Sequence, residues 1–162
     1  MNQQTLLPED PEPAIVFAAY GQPKTAGSKR AFKTKTGKVV VTDDCKESKT
    51  WRDVIAAAAR QAYPGLLLDG PLRVDFLFVV PRPKTVKREM PTTKPDVLKL
   101  ARAAEDALSG VLWVDDARIT TESLRKIYGN VACCVVRVRR DVTNGAPEWA
   151  QKLIETPAEK PF

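Results

Sequence analysis

The sequence predicts an α/β fold: a single small domain in which a mixed β-sheet is packed by two main helices. Three observations carry this. A chain of 162 residues suits one domain with a sizeable core. Leu72, Val74, Phe76, Phe78 and Val80 alternate as one face of a strand whose other face, Arg73, Asp75, Leu77 and Val79, turns apolar toward its end, as a central strand does. Val97, Leu100, Ala101, Ala104 and Leu108 recur at three- and four-residue steps and form one apolar face of a helix.

In chain order, residues 1–13 are polar and proline-spaced and read as a flexible N-terminal arm. Residues 14–140 form the domain. Ala14 to Tyr20 is a first strand, stopped by Gly21 and Pro23. A basic segment follows, with Lys24, Lys29, Arg30, Lys33, Lys35 and Lys38, and with Gly27 and Gly37 as turn points. It reads as a solvated loop and hairpin, with Val39 to Val41 returning. A helix is expected over Ser48 to Tyr63, capped by Ser48 and ended by Pro64-Gly65, with Trp51, Val54, Ile55, Ala58 and Ala62 on one side. Ile119 to Tyr128 is ambiguous between helix and strand. Its place before Gly129-Asn130 favours a hairpin with the strand Val131 to Val138. Residues 141–162 are a tail with one helical turn at Trp149 to Ile154.

The chemistry concentrates between Lys94 and Asp116. Pro95 disfavours helix at Lys94, so the helix begins at about Asp96, a good capping residue, and Gly110 is a natural stop. Leu98, Lys99, Arg102, Glu105, Asp106 and Ser109 lie opposite the apolar face. Asp96 therefore stands at a helix start, basic side chains follow one and two turns on, and the pair Asp115-Asp116 comes after a short loop. That order suits a hard-metal phosphodiester site. The stiff loop before it, Pro81 to Pro95, carries Arg82, Lys84, Lys87, Arg88 and Lys94 against the single acid Glu89, and suits contact with a phosphate backbone.

Composition removes other chemistries. With no histidine, no Ser-His-Asp triad, Cys-His pair or His-ligated zinc can be built. No GxxxxGK[ST] loop is present. A metal would be a hard cation on carboxylate oxygens, Mg²⁺ or Mn²⁺. The net charge of +6 favours a polyanionic partner. No apolar run of membrane-spanning length occurs, and the first residues lack a signal-peptide pattern. Three cysteines, with Cys133 and Cys134 adjacent, do not make a disulfide framework. Both read as ordinary strand residues, Trp113 as core or interface rather than a base-stacking residue, and the expected location is cytoplasmic. No RNP-like aromatic run or GXXG loop supports an RNA-binding module.

Lys94-Pro95-Asp96, Asp106-Ala107-Leu108-Ser109-Gly110 and Trp113-Val114-Asp115-Asp116-Ala117-Arg118-Ile119 together resemble the RusA family of Holliday-junction resolvases. Gly21-Gln22-Pro23, Ser28-Lys29-Arg30 and Trp51-Arg52 are similar to its N-terminal half. The resemblance implies a small α/β domain that dimerises and nicks four-way DNA junctions symmetrically with Mg²⁺. It places Asp96 and Asp116 at essential metal-binding aspartates, with Asp115 beside them, and Arg102 at an essential basic residue. Arg102 and Lys99 would offset charge on the reacting phosphate. Lys24, Lys29, Arg30, Lys33, Arg82, Lys84, Lys87, Arg88 and Lys94 would follow the DNA backbone. One departure stands out: the family's second aspartate falls on Leu98, which cannot bind a metal. Three readings stay open there. Leu98 is an incidental exposed apolar residue, or the site is weakened and the chain binds junctions or duplex DNA without turnover, or another carboxylate, Asp75 or Glu105, replaces the missing one.

Overall fold

The computed structural model describes residues 14–26, 29–33, 36, 39–43 and 46–155, with backbone alone for 29–33, 39–43, 46–48, 152–153 and 155. The expected arm 1–13, residues 156–162 of the tail and the side chains of Lys29, Arg30 and Lys33 lie outside the described residues. The elements are β1 (Ile15–Tyr20), β2 (Lys29–Lys33), β3 (Val39–Asp43), α1 (Lys46–Ala62), β4 (Leu72–Val80), α2 (Val97–Leu108), β5 (Ile119–Tyr128), β6 (Cys133–Arg140) and α3 (Glu148–Glu155).

Four strands form a mixed sheet in the order β1-β6-β4-β5, and β2 with β3 forms a separate antiparallel ribbon. β4 runs antiparallel to β6 and parallel to β5. Parallel neighbours need a crossover, and α2 supplies it. The fold is thus α/β with a mixed sheet, as its alternating strand and periodic helix predict. β4 is the central strand. Leu72, Val74, Phe76, Phe78 and Val80 are buried beneath the helices, and the alternate residues are half-buried on the opposite face.

The expected β5–β6 hairpin is not formed. β5 is a strand, but it pairs with β4 at the sheet edge, and β4 stands between it and β6. The Gly129-Asn130 link passes over the end of β4, where the Gly129 amide donates to the Val80 carbonyl at 3.1 Å. A side chain at Gly129 would run into Val79 Cγ1. A Gly-Asn pair marks a close chain reversal, and here the reversal spans one intervening strand because α2 delivers β5 parallel to β4.

The core lies between the sheet and helices α1 and α2. From α1 it takes Trp51, Ile55 and Ala59, and from α2 Leu100, Ala101, Ala104, Ala107 and Leu108. α1 starts at Lys46, so Ser48 is inside it, and its buried stripe excludes Val54 and Ala62, both exposed. Past α2, Gly110 adopts φ +73°, a conformation glycine takes without strain, and turns the chain so that Leu112 and Trp113 plug fully into the core. Trp113 is core, as its sequence context suggests. Cys133 and Cys134 are buried residues of β6. No helix among the described residues is long and apolar enough to cross a membrane.

Candidate active site

Asp96 is held by backbone on both sides. Its carbonyl accepts the first helical bond from the Leu100 amide (3.1 Å), and φ −69°, ψ 138° give it the extended geometry of a helix cap. Its side chain makes no capping hydrogen bond. Instead the carboxylate is half exposed and lies 3.5 Å from the Lys99 ammonium one turn on. Just before it, Lys126 of β5 donates to the carbonyls of Thr93 (2.7 Å) and Pro95 (2.6 Å). Segment 22–26 runs beside this turn, with the Ala26 amide directed at the Lys99 carbonyl (3.4 Å). Lys24, Lys94, Asp96 and Lys99 consequently line one cavity of about 420 Å³. A second, larger cavity of about 860 Å³ opens on the other side of Asp96, between residues 90–94 and Leu124, Arg125 and Lys126.

Asp115 and Asp116 stand past the other end of α2, on a short 3-10 turn (Asp116–Arg118). Asp115 accepts from the Ala117 amide at 2.8 Å, and Asp116 accepts from the indole N–H of buried Trp113 at 2.8 Å. Arg118 pairs with Asp69 at 2.6 Å, so all four residues of this turn are tied down. Two further carboxylates gather here. Glu122 of β5 hydrogen-bonds to Glu105 of α2, and Asp116 is close enough to act on Glu122 electrostatically. Partial burial, then the Glu105 carboxyl and its charge, and then that of Asp116, push the Glu122 acid up to about 8, so it keeps its proton at neutral pH.

The two ends are separated by the nine-residue step from Asp96 to Glu105, roughly 13 Å of helix rise. Between them α2 presents Leu98 and Arg102 to solvent. Leu98 is 69% exposed, so the core does not require leucine there. Its neighbours at four- and seven-residue steps are Arg102 and Glu105, so it belongs to the same stripe as the carboxylates. Every donor along the stripe is an oxygen, which suits a hard divalent cation and no softer metal. Among the described residues, no three acidic or thiol side chains converge on one point to hold a metal. Leu98 is the interruption between the two sets.

Asp75, one of the two carboxylates that could stand in for one at Leu98, lies away from this surface. It sits on the opposite face of β4, paired with Arg137 (2.8 Å) and Arg139 (3.8 Å). Glu105 lies on α2 against Glu122, which also feels the charge of Asp116. Glu122 was missed in the sequence because residues 119–128 left helix and strand open. Read as a strand, alternation puts it on the helix-facing side with Leu124 and Lys126.

The loop from Pro81 divides its cations. Arg82 donates to the carbonyls of Lys87 (2.7 Å) and Arg88 (2.6 Å) and lies 5.7 Å from the Tyr128 ring centre, so it organises the loop itself. Arg88 donates to the Thr93 hydroxyl (3.1 Å). Lys84, Lys87 and Lys94 are exposed. Burial raises both thiols of the cysteine pair, that of Cys134 to about 12 with help from Cys133, so neither is an ionised nucleophile at neutral pH.

An α/β domain that displays carboxylates among lysines and arginines along one crossover helix defines the class. The chain belongs to the RusA endodeoxyribonuclease family: the profile described as Endodeoxyribonuclease RusA matches residues 21–139. A relative from Bacillus subtilis (strain 168), uncharacterized protein YqaN, is 31% identical over 137 residues, covering 77% of this chain and 95% of that one.

Proposed function

We propose that this protein is a Mg²⁺- or Mn²⁺-dependent, structure-selective endodeoxyribonuclease that resolves four-way DNA junctions by paired symmetric nicks. The observation that carries the reading is the cavity where Lys24, Lys94 and Lys99 surround the exposed Asp96 carboxylate. A phosphate entering it would meet three ammonium groups and one metal-binding oxygen donor. Asp96 at one end of the stripe, and Asp116 with Asp115 at the other, are the residues that would hold metal, as two separate positions, since ends roughly 13 Å apart do not share one ion. The chemistry a bound Mg²⁺ supplies is charge neutralisation on the scissile phosphate and acidification of a coordinated water.

The chain's own groups do the rest. Arg102, exposed midway along the stripe, and Lys99 face the charge that builds on the non-bridging phosphate oxygens. Lys24, Lys84, Lys87 and Lys94 meet the backbone of the arms and recognise shape rather than sequence. Lys29, Arg30 and Lys33, whose side chains lie outside the described residues, are proposed as further backbone contacts on their charge alone. Each protomer offers one site, and a junction with two-fold symmetry needs two, so the active species is a C2 homodimer.

A second reading rests on Leu98: a protein that binds junctions without cutting them. Cleavage of a synthetic four-way junction with and without Mg²⁺ separates the two. Expected are Mg²⁺-dependent nicks, lost in Asp116→Asn and accelerated in Leu98→Asp, which restores a carboxylate two residues from Asp96. Binding without cleavage in both parent and Leu98→Asp overturns the nuclease reading.

A further inference from the structure

We propose that Lys126 is a positioning residue of the site: its ammonium sets the place of Asp96 by clamping the backbone that leads into α2. This rests on the nuclease reading above. The ammonium has three donors, and two are committed to the carbonyls of Thr93 and Pro95, at 2.7 and 2.6 Å. Both are charge-assisted bonds of short length. The residue after Pro95 is Asp96 itself.

The loop that ends there has little core of its own. Pro91 is buried, but its neighbours are exposed from Pro81 to Met90, apart from Val86, and from Thr92 to Lys94. The hydrogen bonds of Arg82 and Arg88 run within the loop, and Arg82 also lies over the Tyr128 ring at the far end of β5. Lys126 ties it to the sheet. β5 is hydrogen-bonded along its length to the central strand, with Lys126 opposite Phe78, so the ammonium projects from a fixed base. Four residues back on the same face of the same strand, Glu122 meets Glu105 near Asp116. One strand therefore references both ends of the site, and Lys126 is the link at the Asp96 end. Without it, Asp96 keeps its bond to Leu100 and its contact with Lys99, and the entering chain keeps buried Pro91 and the Arg88–Thr93 bond, neither of which ties residues 93–95 to the sheet.

Lys126→Met keeps the length of the stem and removes the donors; Lys126→Arg restores donors that can span two carbonyls. Steady-state cleavage of a four-way junction, hydrogen exchange of the amides of 92–98 and the salt dependence of junction binding are measured on the full chain. Expected for Lys126→Met is a kcat lowered at least tenfold with KM within threefold, faster exchange confined to 92–98, and an unchanged salt slope. Lys126→Arg recovers kcat to within threefold of the parent. Parental kcat in Lys126→Met overturns the proposal. So does a raised KM with a salt slope smaller by about 0.9, the mark of a lost phosphate contact. A parent that binds junctions without cutting them refutes the nuclease reading instead. Exchange then decides the clamp alone, and unchanged protection at 92–98 overturns it.

Discussion

Replacing Glu122 by glutamine tests the acidic end of the site without any need for DNA. In the folded protein this carboxyl titrates near 8 rather than 4.5, because it is partly buried against Glu105 and Asp116. Between those two values the folded chain binds a proton that the unfolded chain has released. Stability must therefore fall as pH rises through this window, and the contribution is fully present only below the unfolded value. At about 1.36 kcal/mol per unit, the shift sets an upper bound of roughly 5 kcal/mol. Glu122 is exposed at its outer edge, so solvent screening reduces this to about 1 kcal/mol. Glutamine keeps the shape and a hydrogen-bond donor for Glu105 but never ionises. Urea unfolding of parent and Glu122→Gln at pH 3.5, 7 and 9 gives the measurement, since titrations away from this cluster are common to both. The variant should match the parent at pH 3.5, below the unfolded value, and exceed it by about 1 kcal/mol at pH 9. Parallel stability curves for the two proteins would refute the clustering of Glu105, Asp116 and Glu122.

Asp141 is the opposite case: hydrogen bonds from the Thr121 and Thr120 hydroxyls hold its carboxyl well below the usual range. Its stabilisation is complete above the ordinary value of 3.8 and is lost as pH falls below it, so Asp141→Asn should lower the melting temperature at pH 7 and lose that effect in acid. Gly129→Ala drives a methyl into Val79 and should cost about 1–3 kcal/mol, with partial recovery in the double variant with Val79→Ala; full parental stability of the single variant would contradict the crossing over β4. Replacing Lys84 and Lys87 together should reduce the salt slope of junction binding by about 1.8, whereas Arg82→Ala, whose donors face its own loop, should leave the slope unchanged.

Much of the fold was legible. The alternation in β4 and the helical period in α2 are strong because both elements bury one face wholly. Asp96 at the helix entrance and Gly110 at its exit follow from local backbone preferences alone. The β5–β6 arrangement was not legible, because a Gly-Asn turn reports a reversal and not which strand lies between the two limbs. For the candidate site, the order of Asp96, Arg102, Asp115 and Asp116 along the chain is in the sequence itself. Glu122 and Lys126 could not. Each acquires its role from a partner far along the chain, Glu105 in one case and the carbonyls of Thr93 and Pro95 in the other. The loop cations illustrate a further limit: composition counts Arg82 with Lys84, and only geometry shows that Arg82 spends its donors on its own loop.

The strand order has a consequence for how the chain emerges from a ribosome. β4, α2 and β5 are contiguous in sequence, so a compact βαβ unit can close as soon as residue 128 is clear. β1, made first, pairs with β6, made last among the sheet strands. Until residue 140 has emerged, the apolar residues of β1, Ile15, Phe17 and Ala19, have no sheet to join. A chain cut short between β5 and β6 would leave β1 unpaired and one whole edge of β4 open, a surface on which unfinished copies stick to one another. For this topology the last strand is the one that admits the first, and the cost of incomplete synthesis is aggregation rather than a smaller working domain.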